Sequence, residues 1–494
     1  MRKKTFYVIH VITILLVISL RALGQDGFPL VKIIHYGVGH GDCTLIIVRE
    51  RDASDATKIN TVSVLIDVGE RSRQSVRQWN EIWQRIQDEG GDRLDYFVVS
   101  HFHQDHMGAA ARILQRIRRI DRRSGNPIHP WRRNMQIIDR SIFPPGPPTD
   151  LYSRWALPRP PRPGRTSAYT RYRAEVDGNW ATQLRELYTG DDLFAGHNLT
   201  YSQMICIVSN GAIGTTRVAQ PEVATANPPR ALNENDLSFG FILRVGSFRY
   251  YTGGDLSGEG RQYVPFQPAR PAQPPRPGIP AVPAQPAQSA RSGQSAMEAP
   301  LVNYLGGRFG PNFHACAFKF NHHGSEHSTT EEFLRFFNPR IGVFTANHRR
   351  FGSGRLPAYE LIGRLDNVFP RGRPPGSQRP VLLYTFRFDA QVDATRQVRG
   401  QSNATVLATQ DIILSVMEEP GFSLRVGQAP RINLFRQERQ VDRFIRMGHE
   451  RYHNVRTQGS TFHPQYNVID CDRASHTNQP LYYFPPPPAP QPPE

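Results

Sequence analysis

Apolar residues run together or alternate with polar ones in three short stretches near the start of the chain. These stretches, at 31–48, 61–69 and 94–100, are rich in branched side chains and bounded by glycine or charged residues, a pattern that predicts buried strands. Between the last two, apolar residues recur at helical spacing over 76–86 and stop at two glycines, which predicts a helix. A second helical pattern begins near residue 113. The predicted order is strand, strand, helix, strand, loop and helix.

The same patterns return further along the chain. Apolar stretches at 198–209 and 236–255 predict strands, the second of them a hairpin. The segment at 316–325 predicts a strand that runs into a histidine-rich loop. A helix at 330–337 and a strand at 341–345 follow. This alternation of helices and strands predicts an α/β fold.

Proline-rich segments interrupt this pattern without ending it. One, rich in proline and arginine, covers about 141–168, and another, rich in proline, alanine and glutamine, covers about 264–298. We interpret both as insertions in a single domain at 28–430. Residues 431–494 are expected to form a C-terminal helical extension that ends in a proline-rich tail.

Composition changes the picture mainly through charge. The 494 residues carry a formal charge of +17, and only five of the 60 basic residues are lysine. Arginine suits phosphate and carboxylate oxygens, so the expected partner is an anionic small molecule or polymer, nucleic acid included, although genomic base composition explains the same excess. The mixture of 38% hydrophobic and 21% charged residues excludes collagen-like, coiled-coil and multi-span membrane architectures.

The first residues have the pattern of a targeting signal. Residues 2–4 are basic, an apolar run covers 6–20, and small residues follow at 22–24. The spacing predicts a signal peptide at 1–24, and hence a secreted or periplasmic protein with no transmembrane domain in the mature chain. The run is shorter than the roughly 20 residues that span a bilayer, so an uncleaved anchor is the minority alternative.

Four cysteines are spread along the chain without any CxxC spacing, which argues against a cysteine zinc site. In an exported protein they could form one or two disulfides. The pairing stays open, because spacing alone does not indicate it. The cysteines are Cys43, Cys206, Cys316 and Cys471.

The strongest chemical signal follows the predicted strand at 94–100. His101, His103, Asp105 and His106 place four potential ligands within six positions of a loop. A turn at a strand end can direct such side chains at two adjacent centres, and imidazole with carboxylate suits zinc, manganese or iron. A single histidine would more often be a satisfied core or surface residue, but four such groups at this spacing predict a metal site.

The sequence HFHQDH resembles the HxHxDH motif of the metallo-β-lactamase superfamily. Other segments agree in order: LIDVG around Asp67, YYTGGD ending at Asp255 and KFNHHGS around His322 and His323 each resemble a superfamily motif. More narrowly, VGHGDCTLI, LNENDLSFGFILRVGSFRYYTGGD and KFNHHGS are similar to the hydrolase domain of ComEC-like competence proteins. That resemblance extends, with insertions, over about 31–426.

The resemblance implies an αββα sandwich, in which helices flank two β-sheets and metals lie at one edge. It also implies two ions, with zinc as the first choice and manganese or iron as alternatives. Asp255 would bridge the ions, and one histidine of the His322–His323 pair would complete the second site; which of the two binds is open. With His322 taken as that ligand, the implied metal ligands are His101, His103, Asp105, His106, Asp255 and His322.

The same resemblance implies two catalytic residues and one gap in the first metal site. Asp105 would also orient the attacking hydroxide, and His323 would contact the substrate. Many superfamily members carry a further histidine between the HxHxDH motif and the bridging aspartate. Here the candidates His129 and His197 lie in no matching motif, so the first metal site would be weaker, completed by water, or completed by one of them.

The function implied is metal-dependent hydrolysis. Two zinc ions that share a hydroxide lower its pKa and stabilise negative charge at the attacked centre. The arginines and the ComEC-like motifs favour a phosphodiester or other anionic ester as substrate. The alternative is a non-catalytic basic protein that binds nucleic acid or a cell surface through a degraded hydrolase scaffold. Metal content separates these hypotheses, because a degraded site does not retain two ions; the oligomeric state stays open.

Overall fold

The computed structural model describes most of the chain between Pro29 and Met417, together with two later strands. The predicted signal peptide, most of both proline-rich insertions and the proline-rich tail lie outside the described residues. The described residues are 29–39, 41–52, 54–55, 57–69, 76–119, 129–140, 168–218, 234–246, 248–259, 296–311, 313–346, 350–351, 354–369, 380–387, 408–409, 411–417, 431–436 and 465–469.

Strands and helices follow one another much as the sequence patterns predict. The strands are β1 (Pro29–His35), β2 (Thr44–Arg51), β3 (Ile59–Ile66), β4 (Tyr96–Val98), β5 (Gln136–Ile138), β6 (Ser202–Val208), β7 (Ala212–Ile213), β8 (Thr216–Arg217), β9 (Gly240–Val245), β10 (Phe248–Thr252), β11 (Ala317–Lys319), β12 (Ile341–Phe344), β13 (Arg350–Phe351), β14 (Gly354–Arg355), β15 (Val381–Tyr384), β16 (Phe386–Arg387), β17 (Ala408–Thr409), β18 (Ile412–Met417), β19 (Arg431–Arg436) and β20 (Gln465–Ile469). The α-helices are α1 (Val76–Gly90), α2 (Gln104–Met107), α3 (Ala110–Ile117), α4 (Ala168–Asn179), α5 (Glu298–Phe309), α6 (Glu331–Phe337) and α7 (Tyr359–Val368). In the described part of the chain, no helix is long and apolar enough to cross a membrane.

The first sheet has the strand order β20-β19-β18-β1-β2-β3-β4-β5. Neighbours are antiparallel from β20 to β3, whereas β3, β4 and β5 run parallel. Both faces of the strands around β1 and β2 are buried. Ile33 and Ile46 lie in the layer between the two sheets, while Ile34 and Leu45 pack with the apolar residues of α1 and α3. This burial on two sides explains why the strands are almost continuous apolar runs.

The second sheet has the order β15-β12-β11-β10-β9-β6, with β10, β11, β12 and β15 parallel. Its inner face, with Phe241 and Tyr250, shares the central apolar layer with the first sheet. Its outer face is covered by α5, α6 and α7, which contribute Leu301, Phe333 and Leu361. Two packed sheets flanked by helices confirm the predicted αββα sandwich.

The structure differs from the sequence prediction near the C-terminal end. A helical extension is predicted over 431–494, but the residues described there form strands, with β19 paired to β18 and β20 paired to β19. The register places Ile432 opposite Val416 and Leu434 opposite Leu414. Apolar residues two positions apart suit a strand rather than a helix. The other predicted domain boundaries stay predictions.

Three of the four cysteines lie inside the fold as free thiols. Cys43, Cys206 and Cys316 are buried and form no disulfide with one another, and Cys471 lies outside the described residues. Burial raises the pKa of the Cys43 and Cys206 thiols well above the usual value. These cysteines therefore serve as small apolar side chains.

Candidate metal centre

Loops from both sheets meet at one edge of the sandwich. Asp67 follows β3 and His101 follows β4, while Asp255 follows β10 and His323 follows β11. Since β3 and β4 are parallel neighbours, as are β10 and β11, their carboxyl ends lie at the same edge of each sheet. The turn between β1 and β2 adds Asp42. The fold thus gathers polar side chains that are far apart in sequence.

Among the described residues, possible ligand atoms lie in two groups that share Asp255. Within each group, all the ligand atoms lie within 4.8 Å of one another. The first cluster consists of His101, His103 and Asp255, and the second cluster consists of Asp42, His106, Asp255 and His323.

His106 and His323 face each other in the second cluster, with 3.3 Å between their Nε2 atoms. Oδ1 of Asp255 lies 3.1 Å from Nε2 of His106, and its Oδ2 lies 3.6 Å from Nε2 of His323. Asp105 places Oδ2 3.4 Å from the same His323 nitrogen. Two imidazoles and the carboxylate of Asp255 therefore face one another, and Asp105 adds a second carboxylate beside His323.

Each histidine of the second cluster has a buried carboxylate behind it. Nδ1 of His106 lies 2.8 Å from Oδ2 of Asp67, and Nδ1 of His323 lies 3.3 Å from Oδ1 of Asp42. These contacts fit a ring hydrogen on each Nδ1, which directs both Nε2 lone pairs towards Asp255. Oδ1 of Asp255, buried and without a hydrogen-bond donor in the described part of the chain, then faces a nitrogen lone pair. Such converging lone pairs fit a divalent cation such as zinc.

Charges in the second cluster act strongly on one another. Burial raises the pKa of Asp255, but His106 and His323 outweigh burial and hold this pKa well below its usual range. Burial lowers the pKa of His106, yet Asp255 and Asp67 bring it well above its usual value. Burial also opposes the charged form of His323, and Asp255 and Asp42 outweigh burial and raise this pKa to about 10. The carboxylates thus hold positive charge here, either as protons or as a metal ion.

The first cluster contains fewer groups. Nε2 of His101 lies 3.1 Å from Nδ1 of His103 and 3.8 Å from Oδ2 of Asp255. Nδ1 of His101 lies 3.1 Å from the hydroxyl of Ser100 and 3.3 Å from that of Ser238. Burial lowers the pKa of His101 well below its usual value, so the ring is neutral, which is the form that binds metal.

The two candidate third histidines lie elsewhere. His129 precedes a 3-10 turn at Pro130–Arg133, and its Nε2 lies 2.8 Å from Nε2 of Gln87. Nε2 of His197 lies 2.8 Å from the hydroxyl of Tyr96. Among the described residues, neither histidine belongs to the first or the second cluster.

The His322–His323 pair has an unusual backbone conformation. The φ angle is 47° at His322, 53° at His323 and 82° at Gly324, in the left-handed region that non-glycine residues seldom adopt. The turn buries His323 in the second cluster and leaves 18% of the His322 side chain exposed. Nε2 of His322 lies 3.8 Å from Oδ2 of Asp255 and 3.4 Å from Nδ2 of Asn235. Of the pair, the structure brings His323 into the group of converging ligand atoms.

A buried arginine supports the loop that carries HFHQDH. Glu234 accepts hydrogen bonds from the Phe102 backbone N–H at 2.8 Å and from the Arg140 guanidinium. That guanidinium also lies 4.6 Å from the centre of the Phe102 ring. Because Phe102 lies between His101 and His103, these contacts keep both histidines in place.

Two charged residues of the site are not among the residues predicted from the sequence. Asp42 belongs to the second cluster, and Oδ2 of Asp42 lies 2.5 Å from Nζ of Lys319. An aspartate in a glycine-rich turn is also a common structural choice, so its motif gives a weak signal. Lys319 gives a stronger signal, because it lies in a buried strand of a chain with only five lysines. Lysine is seldom fully buried without a partner.

Fold and site together define a class of protein: an αββα sandwich with a buried histidine–aspartate centre that fits divalent metal at the edge of its sheets. A family model described as the metallo-beta-lactamase superfamily matches residues 58–201, which include the HFHQDH loop. The predicted superfamily resemblance is confirmed over this range. No curated protein matches the chain. The narrower resemblance to ComEC-like proteins stays a prediction.

Proposed function

We propose that this protein is a metal-dependent hydrolase with a dinuclear site, and that zinc is the ion that suits its donor atoms best. The observation that carries the proposal is the sharing of Asp255 by two ligand clusters, as a bridging carboxylate requires. The match to a superfamily whose members are usually hydrolytic supports the same activity. When bound, two divalent ions would activate water and offset the negative charge that develops at the attacked centre.

The histidines and aspartates of the two clusters would act as ligands of two ions. Histidine nitrogens would supply neutral ligands, and the carboxylates would balance the charge of the metals. Both kinds of ligand are already held by neighbouring groups before metal arrives. In the proposed assignment His101 and His103 would hold the first ion, Asp105, His106 and His323 would hold the second, and Asp255 would be shared by the two.

His322 and His323 receive the reverse of the roles taken in the sequence analysis. His323 is buried, and its Nε2 lies among carboxylate oxygens of Asp105 and Asp255. His322 is partly exposed beside Asn235, where it could contact a substrate. Asp105, with 17% of its side chain exposed, keeps its proposed second role of orienting the attacking water.

A phosphodiester or another anionic ester is the proposed substrate class, and the resemblance of the sequence motifs to ComEC-like proteins supports it. Helix α3 follows the HFHQDH loop. Arg112 and Arg116 lie outside the buried apolar stripe of this helix, and Arg119 follows its last turn. Burial lowers the pKa of Arg116, and the charges of Arg112 and Arg119 lower it further. This concentration of positive charge favours an anionic substrate, including a polymer such as nucleic acid.

We also propose that the protein is exported, because residues 1–24 have the pattern of a signal peptide. A secreted or periplasmic protein should lose this segment on maturation, because a signal peptidase cleaves after small residues such as those at 22–24. Amino-terminal sequencing of the protein purified from its source tests this. An intact amino terminus would favour the uncleaved anchor instead.

Metal content measured beside activity tests the proposed hydrolase. The unmodified protein should bind about two zinc ions and cleave a chromogenic phosphodiester. His103→Ala should lose metal from the first cluster together with the activity, because it removes a ligand from a group of only three. His314→Ala is the matched control, since His314 belongs to neither cluster, and it should keep both metal and activity.

Failure of the unmodified protein to retain any metal would overturn the proposal. The non-catalytic binding protein would then be the better hypothesis. Equal metal content in His103→Ala and in the unmodified protein would remove His103 from the assigned ligands.

A further inference from the structure

A buried lysine lies beside the metal centre. Lys319, the last residue of β11, is 1% exposed, and its Nζ lies 2.5 Å from Oδ2 of Asp42. The ammonium also donates to the carbonyl oxygens of Gly254 at 3.0 Å and Phe320 at 3.4 Å. Three ammonium hydrogens therefore have three acceptors. A buried ammonium is costly unless it is paired, so these contacts determine its position closely.

These contacts join three loops of the site. Asp42 lies in the turn between β1 and β2, Gly254 directly precedes Asp255, and Phe320 directly precedes the turn that holds the histidine pair. Lys319 thus fixes the backbone next to the proposed ligands on three sides. It is not a ligand itself, because an ammonium has no lone pair to offer a metal.

Asp42 connects the lysine to His323. Its Oδ1 lies 3.3 Å from Nδ1 of His323 and accepts a hydrogen bond from the hydroxyl of Thr345. The carbonyl oxygen of Thr345 lies 3.0 Å from the same Nδ1. Two acceptors at Nδ1 favour the ring hydrogen at that position, which directs the Nε2 lone pair towards Asp105 and Asp255.

We propose that Asp42 and Lys319 are positioning residues for the second metal ion: Lys319 fixes Asp42, and Asp42 orients His323 to bind metal through Nε2. This inference rests on the proposed function, since it requires the second cluster to bind metal. A purely structural ion pair would affect the stability of the fold and leave the metal affinity unchanged.

His106, the other histidine of the second cluster, also has a carboxylate partner, but other groups hold that carboxylate. Asp67 lies behind His106 and accepts hydrogen bonds from the N–H of Ser100 at 2.7 Å and from its hydroxyl at 2.6 Å. A carboxylate therefore stands behind both histidines of the second cluster. Of these two carboxylates, the one behind His323 is the one paired with a buried lysine, so its orientation depends on that ion pair as well as on hydrogen bonds.

Zinc titration of the full chain tests the proposal. Asp42→Asn and Lys319→Met should each lower the affinity for the second zinc ion by about 10- to 100-fold, measured by competition with a chromogenic chelator. The double variant should recover thermal stability relative to either single variant, because no unpaired charge stays buried, but it should not recover the zinc affinity. Glu175→Gln is the matched control. It breaks a pair with Arg118 at 2.7 Å outside both clusters and should lower stability alone.

The outcomes distinguish this proposal from the proposed function. If the unmodified chain binds about two zinc ions and the variants match its affinity, the ion pair is structural and the positioning role is overturned alone. If the unmodified chain binds no zinc, both proposals are overturned. Thr345→Val removes a hydroxyl that donates to Asp42 and lies 3.4 Å from Nδ1 of His323, while both charges stay in place, so this variant serves if the charge variants do not fold. This variant should lower the affinity for the second zinc ion several-fold. An unchanged affinity would also overturn the positioning role.

Discussion

His35 is a titratable side chain in the buried layer between the two sheets. Its Nδ1 lies 3.0 Å from the hydroxyl of Thr44 on β2, and its Nε2 lies 3.4 Å from the hydroxyl of Tyr250 on β10. Burial lowers the pKa of His35 to about 3. At neutral pH the ring is therefore uncharged and connects one sheet to the other through polar atoms.

We expect His35 to make the fold sensitive to acid. Below the usual histidine pKa of 6.5, the unfolded chain binds a proton that the folded chain takes up only near pH 3, so the free energy of unfolding falls as the pH decreases through this window. At about pH 4.5 the loss is about 2–3 kcal/mol. His35→Gln cannot titrate and should lose less stability between neutral and acidic pH, as measured by urea unfolding of the metal-free protein. An equal loss in both proteins would contradict this prediction.

At the scale of elements, the turn between β1 and β2 contacts the HFHQDH loop, which carries Asp105. The φ angle of Gly41 is 115°, and a Cβ at this position would lie 1.9 Å from the backbone oxygen of Asp105. The backbone N–H of Asp42 donates to that same oxygen at 3.1 Å. Glycine is thus required both for the conformation of the turn and for its close approach to the loop.

Gly41→Ala should therefore disturb the loop of Asp105 as well as the turn. We expect zinc affinity at the second cluster to fall and the free energy of unfolding to decrease by at least about 1 kcal/mol. Gly91→Ala is the control, since Gly91 has a φ of 58° but a Cβ there would meet nothing within 4 Å. It should lose some stability and keep its zinc affinity. Zinc titration beside thermal unfolding measures both effects, and equal zinc affinity in the two variants would refute the steric argument.

Local sequence predicts the strands and the HFHQDH loop well, because both depend on neighbouring residues. The apolar run that becomes β4 and the HFHQDH motif after it are short and self-contained. Pairing across the chain is different: nothing near β18 indicates that it lies between β1 and β19. The choice between His322 and His323 likewise depends on a left-handed backbone at both positions. The hydrogen bond that occupies His197 depends on packing against Tyr96.

At the scale of the whole molecule, the candidate metal centre contains residues from both sheets. Asp67 and His101 follow strands of the first sheet, whereas Asp255 and His323 follow strands of the second. Unfolding separates these residues, so the complete ligand set exists only in the folded protein. A metal held here therefore stabilises the folded state by mass action.

Removal of metal should lower the melting temperature. With free zinc at about 100 times the dissociation constant, one site contributes about 2.7 kcal/mol, which corresponds to a rise of about 3–5 °C in Tm for a domain of this size. Calorimetry of the protein with chelator, and then with zinc restored, measures this shift. His106→Ala should show a smaller rise, because it removes a ligand of the second cluster. The same Tm with and without chelator would contradict the prediction.

The place of β18 in the first sheet also bears on how the protein is made. β1 has β2 on one side and β18 on the other, so its neighbours come from residues 44–51 and 412–417. Pairing over such a separation is slow, because a long loop must close before any contact compensates for the lost entropy. During synthesis, one edge of β1 stays unpaired until residue 417 has left the ribosome. A ribosome that has made the first 400 residues therefore carries every proposed metal ligand, but not yet β18, the strand that pairs with the second edge of β1.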